Sequence, residues 1–431
     1  MRKTPIATAI NLLLESKPMF NNRDVLRSTY IPDYLPHRDR EVDTLINILI
    51  VALRGDTPSN ILIYGKTGTG KTAVTTHVGN EIERVGKERG IPCHVLYTNC
   101  GIIDTQYRLL ASLARNFGKK IPMTGWPTDQ VYSEFKSALD SRERVVIIIL
   151  DEIDKLTKKG DDVLYNLSRI NSTLKHAKVS LVGISNDLKF TEFLDPRVRS
   201  SLGEEEIVFP PYNAEQLSDI LRQRAEVAFS KGTLNENVIS LCSALAAREH
   251  GDARKALDLL RISAELAERA GLDHVEEFHV RRAQSAIESD RVAEVVRTLP
   301  TQSKMVLYSI MTLNRAPELI RRTGKSGNGG NGGNGGGRNI MSTGEVYQTY
   351  RSMCNMIDLD VLTQRRITEL ITELDMLGIV NAIVINRGRY GMTKEISLDT
   401  PPDHIFRTLS GDARLQPLLE MRPGAIQMQL G

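Results

Sequence analysis

No apolar run in the sequence approaches the ~18 residues that a membrane-crossing helix needs, so no transmembrane helix is expected. Cysteine is scarce. Cys93, Cys100, Cys242 and Cys354 are scattered and never stand in C-x-x-C spacing. That argues against a zinc cage or a disulfide framework and for reduced, partly buried thiols in a cytoplasmic protein. The first residues, MRKTPIATAINLLLESK, begin basic, but Asn11 breaks their apolar part and Glu15 and Lys17 end it. They do not read as a secretory signal. Net charge is small too, at +3 from 56 Lys/Arg and 53 Asp/Glu. Residues 290–431 hold the whole surplus, with 17 basic against 14 acidic side chains, while the first 289 residues balance at 39 each. So modest an excess leaves local arrangement to decide whether a polyanion is a partner. A chain of 431 residues, 41% hydrophobic and 25% charged, has ordinary globular composition. Its length suits about two to four domains.

Against that background, residues 60–74, NILIYGKTGTGKTAV, stand out. Ile61 to Tyr64 form a short apolar run, as in a strand buried on both faces. Gly65, Lys66, Thr67, Gly68, Thr69, Gly70, Lys71 and Thr72 then fit G-x-x-x-x-G-K-[ST], and helical character begins at Ala73. The glycines let backbone N–H groups curl around a phosphate that a Cβ would obstruct, and the helix start adds its positive dipole end. Lys71 is placed to reach the β- and γ-phosphates, and the Thr72 hydroxyl to ligate Mg²⁺. Chance yields such a match in roughly one chain of this length per hundred, and the flanking strand and helix lower that further. ATP or ADP with Mg²⁺ is the expected ligand.

Some eighty residues on comes VVIIILDEIDKL (145–156), a second buried strand with Asp151 and Glu152 at its carboxyl end. In P-loop folds ligands bind there. Asp151 could hold Mg²⁺ through water, and Glu152 could polarise the attacking water. A third apolar run, VSLVGISND (179–187), ends in Asn186, whose amide could orient that water or sense the γ-phosphate, although an Asn after a strand is also a turn former. DPRVRSSLG (195–203) supplies Arg197 and Arg199, either an arginine finger for a neighbour's nucleotide or surface ion pairs. After EEIVFPPYNAEQL (205–217) the chain turns helical to about residue 289. Tyr212 at that junction could pack on an adenine, and Arg224 lies on the next helix. In GDARKALDLLRISAEL (251–266), Asp252 suits an N-cap and Arg254, in the first turn, could reach the phosphates. That would make the helical part a lid that responds to nucleotide state.

From about residue 298 the pattern changes. LPTQSKMVLYSIMTL (299–313), STGEVYQTYRSMCNMI (342–357) and TQRRITELITELDMLG (363–378) read as three helices. The last has Ile367, Leu370, Ile371, Leu374 and Leu377 on one apolar face, with Thr363 to cap its start and Gly378 its end. IVNAIVINRGRYGMTKEISL (379–398) reads as a hairpin, which completes a winged-helix arrangement. Residues at the start of a recognition helix reach base edges in the major groove. Here these are Gln364, Arg365, Arg366 and Thr368, with Arg387 and Arg389 at the wing tip suited to phosphate or minor-groove contact. The other reading of this domain is protein binding. TGKSGNGGNGGNGGG (323–337) falls between the first two of these helices, so it reads as an expanded flexible loop inside one domain.

Together, Walker A, Walker B, a sensor-1 Asn, box VII arginines and a lid with a sensor-2 Arg look like an AAA+ ATPase. The expected fold is α/β, an AAA+ P-loop parallel sheet with a helical lid subdomain plus a C-terminal winged-helix domain. Residues 1–211 are expected to hold the nucleotide-binding part with an N-terminal extension, 212–290 the lid and 291–431 the winged helix. YIPDYLPHRDRE (30–41), YGKTGTGKT, ILDEIDKL, DPRVRSSL, FPPY and GDARKALDLL resemble the archaeal initiators related to cell division control protein six and origin recognition complex subunit one. The likeness covers roughly residues 15–400, and the Gly/Asn tract departs from the usual compact helix connection. The resemblance implies that residues 30–38 lie near the base, that Tyr212 and Arg224 line the nucleotide site, and that residues 104–120 form a helical insertion, with four basic side chains and one acidic, able to touch DNA. It further implies double-stranded origin DNA, the replicative minichromosome maintenance helicase and other copies of the chain as partners, and a nucleoid-associated place in the cytoplasm. ATP would then act as a conformational switch with slow turnover to ADP and phosphate.

Two other readings remain open at this point. A branch-migration motor also joins an AAA+ core to a winged helix, and would show fast, DNA-stimulated hydrolysis. A nucleotide-gated signalling switch would use its winged helix on protein and show no salt-sensitive DNA affinity.

Overall fold

The computed structural model describes residues 18–103, 105–122, 124–157, 162–192, 194–315, 340–386, 392–400 and 402–420. The chain forms two compact units, Met1–Ala283 and Gln284–Gly431. No helix among the described residues is long and apolar enough to cross a membrane.

The first unit is built on five parallel strands, β1 (Ile61–Tyr64), β2 (Cys93–Asn99), β3 (Arg144–Asp151), β4 (Ala177–Ser185) and β5 (Glu205–Val208). Their order is β2-β3-β4-β1-β5. Both β1 and β3 are buried along their whole length, as unbroken apolar runs require in a sheet covered on two sides. Successive side chains point to opposite faces. Ile61, Ile63, Ile147 and Ile149 pack with Leu45 and Leu49 of α1 (Asp39–Leu49) and with Val74, Val78 and Ile82 of α2 (Lys71–Glu88). Leu62, Val146, Ile148 and Leu150 face the other layer, where they meet Leu109 and Leu113 of α3 (Gln106–Asn116) and Val131 and Phe135 of α4 (Thr128–Leu139). The stretch 104–120 thus supplies α3, whose apolar side is part of the sheet's cover, and Asp104 lies outside the described residues.

Short helices α5 (Asp154–Thr157), α6 (Asp162–Ser168) and α7 (Pro196–Leu202) complete this layer. The helical part consists of α8 (Ala214–Ala228), α9 (Glu236–Arg248), α10 (Ala253–Arg269) and the start of α11 (Glu277–Thr298). Side chains set where these helices begin. Asn213 and Gln216 form a capping box on α8, Asn235 caps α9, and Asp252 caps α10 by accepting from the backbone N–H of Arg254 and Lys255.

The second unit has α12 (Thr301–Arg315), β6 (Met341–Ser342), α13 (Thr343–Met356), α14 (Gln364–Met376), the antiparallel hairpin β7 (Val380–Asn386) and β8 (Met392–Leu398), then α15 (Pro402–Leu409) and α16 (Gln416–Glu420). This is the winged-helix order read from the sequence. Ser342 and Glu345 form a capping box on α13, and the Thr363 hydroxyl accepts from the Arg366 N–H at the start of α14. Ile367, Leu370, Ile371 and Leu374 are buried as expected. Leu377 is not: it is 46% exposed, because α14 has ended by this point and the backbone turns through Gly378 at φ 70°. Strand β6, which pairs with β8, and helices α15 and α16 had no counterpart in the sequence reading. The Gly/Asn tract and the hairpin tip with Arg387 and Arg389 lie outside the described residues.

Candidate functional site

The carboxyl ends of β1, β3 and β4 and the start of α10 open into one cavity of about 490 Å³, within the usual size of a small-ligand site. It is lined by Gly68, Thr69, Gly70, Lys71 and Thr72, by Asp151, Glu152 and Asn186, and by Arg254. The amino-terminal segment adds Tyr30, Ile31 and Leu35 to its lining, and the lid adds Ile220, Gln223, Arg224 and Leu257. The P-loop therefore shares a cavity with both strand-end acids, the β4-end Asn and the lid Arg. Gly65, Lys66 and Thr67 complete the loop between β1 and α2, with Lys66 and Thr67 exposed.

Lys71 is nearly fully buried. Its ammonium donates to the carbonyls of Gly65 at 2.8 Å and Lys66 at 2.7 Å. Burial pushes its pKa down to about 8, and Arg254 adds to the lowering while Asp151, Asp252 and Asp154 oppose it. A buried ammonium in this state favours an anionic partner. Asp151 Oδ2 accepts from the Thr72 hydroxyl at 2.8 Å, and Oδ1 from the Glu152 N–H at 2.9 Å. Glu152 sits at φ 53°, a left-handed backbone that turns its side chain off the strand direction. The donor set fits a magnesium nucleotide: N–H groups and Lys71 for phosphate, and the hydroxyl and carboxylate of Thr72 and Asp151 for a hard cation with water.

Three side chains at the site had no role in the motif reading. The Tyr97 hydroxyl donates to Asp151 Oδ2 at 2.8 Å, the oxygen that also accepts from Thr72. Tyr97 stands near the end of β2, whose Asn99 is in register with Asp151. Arg38 is 2% exposed, with its guanidinium over the Tyr212 ring at 3.9 Å, its Nε donating to the Thr69 carbonyl and an Nη to that of Pro210. Gln223 joins the lid to the amino-terminal segment by donating from Nε2 to the Tyr34 carbonyl at 3.0 Å.

Tyr212 lines the cavity with one ring face covered by Arg38 and its hydroxyl close to Gly70. Arg224 holds the amino-terminal segment, donating to the carbonyls of Val25 and Tyr30 and lying over the Tyr30 ring. Arg197 and Arg199, on α7, are outside the cavity lining. Arg197 is bound to Asp195 at 2.9 Å and lies over Tyr165. Burial pushes the Tyr64 phenol up, Glu206 adds to this, and the charge of Arg199 opposes it.

On the winged helix, Gln364, Arg365, Arg366 and Thr368 are exposed or half-buried in the first turns of α14. Arg366 pairs with Glu369 at 2.8 Å and Glu373 at 3.4 Å, and Arg365 reaches Glu369 at 3.6 Å. The Thr368 hydroxyl donates to the Gln364 carbonyl. The basic turn is thus matched by two acids on the same face, Glu369 and Glu373.

Comparison with known proteins bears on this arrangement. Residues 54–189 match an AAA domain, residues 218–285 a Cdc6 AAA+ ATPase-type lid domain, and residues 333–408 a CDC6 C-terminal winged-helix domain. The ORC1-type DNA replication protein 1 of Methanosarcina mazei is 62% identical over 410 residues, 95% of each chain. The chain belongs to the ORC1-type DNA replication protein family. A further member, from Pyrococcus furiosus, is 54% identical over 423 residues, covering 97% of this chain and 96% of its own. Among solved structures, the Aeropyrum pernix ORC1 protein in complex with DNA superposes with a TM-score of 0.76 at 47% identity, over 93% of this chain and 99% of that one. The chain is an initiator of the ORC1/Cdc6 type, an AAA+ ATPase fold with lid and winged helix.

Proposed function

We propose that this initiator holds double-stranded origin DNA with its winged helix and uses ATP as a slow-turnover switch to help recruit the replicative minichromosome maintenance helicase, on the nucleoid and with other copies of itself. The observation that carries the nucleotide part is the convergence of Lys71, Thr72, Asp151, Glu152, Asn186 and Arg254 on one cavity whose walls come from both sheet and lid. Lys71, with the P-loop N–H groups, holds the β- and γ-phosphates. Thr72 and Asp151 hold Mg²⁺, which when bound neutralises charge on the phosphate oxygens. Glu152 takes a proton from the attacking water, and Asn186 orients that water. Arg254 ties lid position to the γ-phosphate. Arg197 or Arg199, both away from this cavity, serves a neighbour's nucleotide.

The DNA part is supported by the DNA-bound Aeropyrum relative and by the basic start of α14. Gln364, Arg365, Arg366 and Thr368 read the major groove, and Arg387 and Arg389 contact phosphate or enter the minor groove. Fluorescence anisotropy on two duplexes tests this, one with inverted repeats from upstream of the protein's own gene and one scrambled. Preference for the repeats that survives added salt, and is lost in Arg366→Ala and Arg389→Ala, is expected. Equal, salt-sensitive binding to both would favour a motor. No DNA binding would favour a switch whose winged helix binds protein.

A further inference from the structure

Asp151 has little acceptor capacity left for a cation. An ionised carboxylate offers about four acceptor positions, roughly two on each oxygen. On Oδ2 both are taken, one by the Thr72 hydroxyl and one by the Tyr97 hydroxyl, each at 2.8 Å. On Oδ1 the Glu152 N–H takes one at 2.9 Å. Among the described residues one position stays open, and it is on Oδ1. A cation held by Thr72 does not change the count at Oδ2. A hydroxyl carries a proton as well as lone pairs, so Thr72 can keep donating to Asp151 while its oxygen faces the metal. Tyr97 fills Oδ2 from outside the two motifs. The pairing of β2 with β3 sets it opposite Ile149 and sets Asn99 opposite Asp151, and Tyr97 lines the same cavity. The residue is 44% exposed, so little packing depends on it.

We propose that Tyr97 sets the choice of cation, occupying Asp151 Oδ2 so that the carboxylate meets the metal site through Oδ1 alone. This rests on reading the cavity as a magnesium nucleotide site. Ca²⁺ takes about six to eight oxygen ligands, often both oxygens of one carboxylate, whereas Mg²⁺ keeps a near-ideal octahedron and several of its waters. A carboxylate with one open position can accept from a metal-bound water or offer one oxygen, which suits Mg²⁺. It cannot close on a cation with both oxygens, which would serve Ca²⁺ better. Removing the phenol hydroxyl opens a position on Oδ2 and lifts that restriction. Selectivity of this kind comes from denying contacts to the wrong ligand rather than from adding them for the right one. Tyr97 acts through Asp151 and is a positioning residue.

The test titrates Mg²⁺ and Ca²⁺ against a fluorescent ATP analogue bound by the full-length protein, unaltered and as Tyr97→Phe, which keeps the ring and removes the hydroxyl. The ratio of the two cation responses within one protein cancels any general change in nucleotide affinity. The nucleotide's own preference between the ions is common to both proteins. The unaltered protein should favour Mg²⁺, and Tyr97→Phe should reduce that preference about five-fold, chiefly by a gain with Ca²⁺. In an Asp151→Asn background the same change should do nothing, because the hydroxyl acts through that carboxylate. An unchanged ratio in Tyr97→Phe overturns the inference, and so does a shift that persists beside Asp151→Asn. Equal use of the two cations by the unaltered protein overturns it as well. A Tyr97→Phe protein that binds no nucleotide would make Tyr97 a support of the pocket and would also sink the idea. If the unaltered protein binds no triphosphate, the reading of the cavity fails and this inference fails with it. Nucleotide binding with an unchanged cation ratio leaves that reading intact and removes only the role of Tyr97.

Discussion

The carboxylate of Asp252 occupies the space a side chain on Gly68 would need. A Cβ built on Gly68 would stand 1.7 Å from Asp252 Oδ1, and the Ala253 N–H donates to the Gly68 carbonyl at 3.1 Å. The lid helix α10 therefore begins directly on the P-loop. Arg38 grips Thr69, the next residue, and the Tyr212 hydroxyl borders Gly70. Three consecutive loop residues are held from outside the sheet.

Gly68→Ala should therefore abolish nucleotide binding while the winged helix still folds. The residue sits at φ +71°, which disfavours any side chain, and the added methyl would displace Asp252. Equilibrium dialysis with labelled ATP checks the first part, and circular dichroism the second. Asp252→Ala loses the α10 cap and should lower stability by about 1 kcal/mol, read from denaturant unfolding.

Arg38→Ala should be among the most destabilising single changes in the first unit. It strips a buried guanidinium from three carbonyls and from Glu41, itself largely covered, and uncovers the Tyr212 ring. A loss of about 3 kcal/mol is expected. Arg38→Lys should recover little, because an ammonium lacks the planar fork that reaches all of these partners. Thermal unfolding of both variants gives the comparison.

Nucleotide affinity should fall as pH rises above about 8. The Lys71 pKa of about 8 belongs to the nucleotide-free protein. Phosphate favours the charged amine, so binding raises that value. Below about pH 8 the amine is protonated in both states and affinity is flat. Above it, binding takes up a proton and affinity drops by up to about ten-fold per pH unit. Phosphate itself, with a second pKa of about 6, is already ionised there. Calorimetry in buffers of different ionisation heat should detect the uptake, and Lys71→Met should remove it. The sign for stability is opposite. A folded pKa below the ordinary 10.5 makes the nucleotide-free fold gain stability as pH rises between about 8 and that value.

Asp151→Asn should leave Mg²⁺-free nucleotide binding near normal and remove the gain in affinity that Mg²⁺ gives. The amide can still accept from Thr72 and Tyr97 but no longer carries the charge that favours a hard cation. Titration of Mg²⁺ against a fluorescent ATP analogue separates the two effects. An unchanged Mg²⁺ response would remove Asp151 from the metal site.

Glu369→Gln should strengthen DNA binding a few-fold at low salt, with the gain fading as salt rises. Arg366 and Arg365 are shared with Glu369 on an exposed face, where ion pairs are weak and screened. Freeing them should steepen the salt dependence of affinity.

What could be read in the sequence follows from how locally each feature is encoded. The continuous apolar runs of β1 and β3 and the eight-residue P-loop are local, and they are found where they were read. The start of α14 was legible from one threonine and a helical apolar stripe, but the stripe overran its end at Leu377 because periodicity does not mark where a helix stops. Tyr97 was not legible. Its bond to Asp151 depends on the pairing of β2 with β3, two segments separated by α3 and α4. The composition of the basic first turn does not by itself show that Glu369 and Glu373, further along the same face, pair with Arg366. Arg38 and Gln223 matter through carbonyl partners, and no side-chain motif records a carbonyl.

The side of the cavity lined by the lid and the amino-terminal segment is tied by bonds that span most of the first unit. The Gln223–Tyr34 and Arg224–Tyr30 bonds join residues 189 and 194 positions apart. Contacts of such sequence separation pay their loop-closure entropy late in folding. The pocket should therefore be complete only after sheet and lid have each formed, and be absent from the transition state. A bound nucleotide would then leave the folding rate almost unchanged and act by slowing unfolding, lengthening the lifetime of the folded initiator.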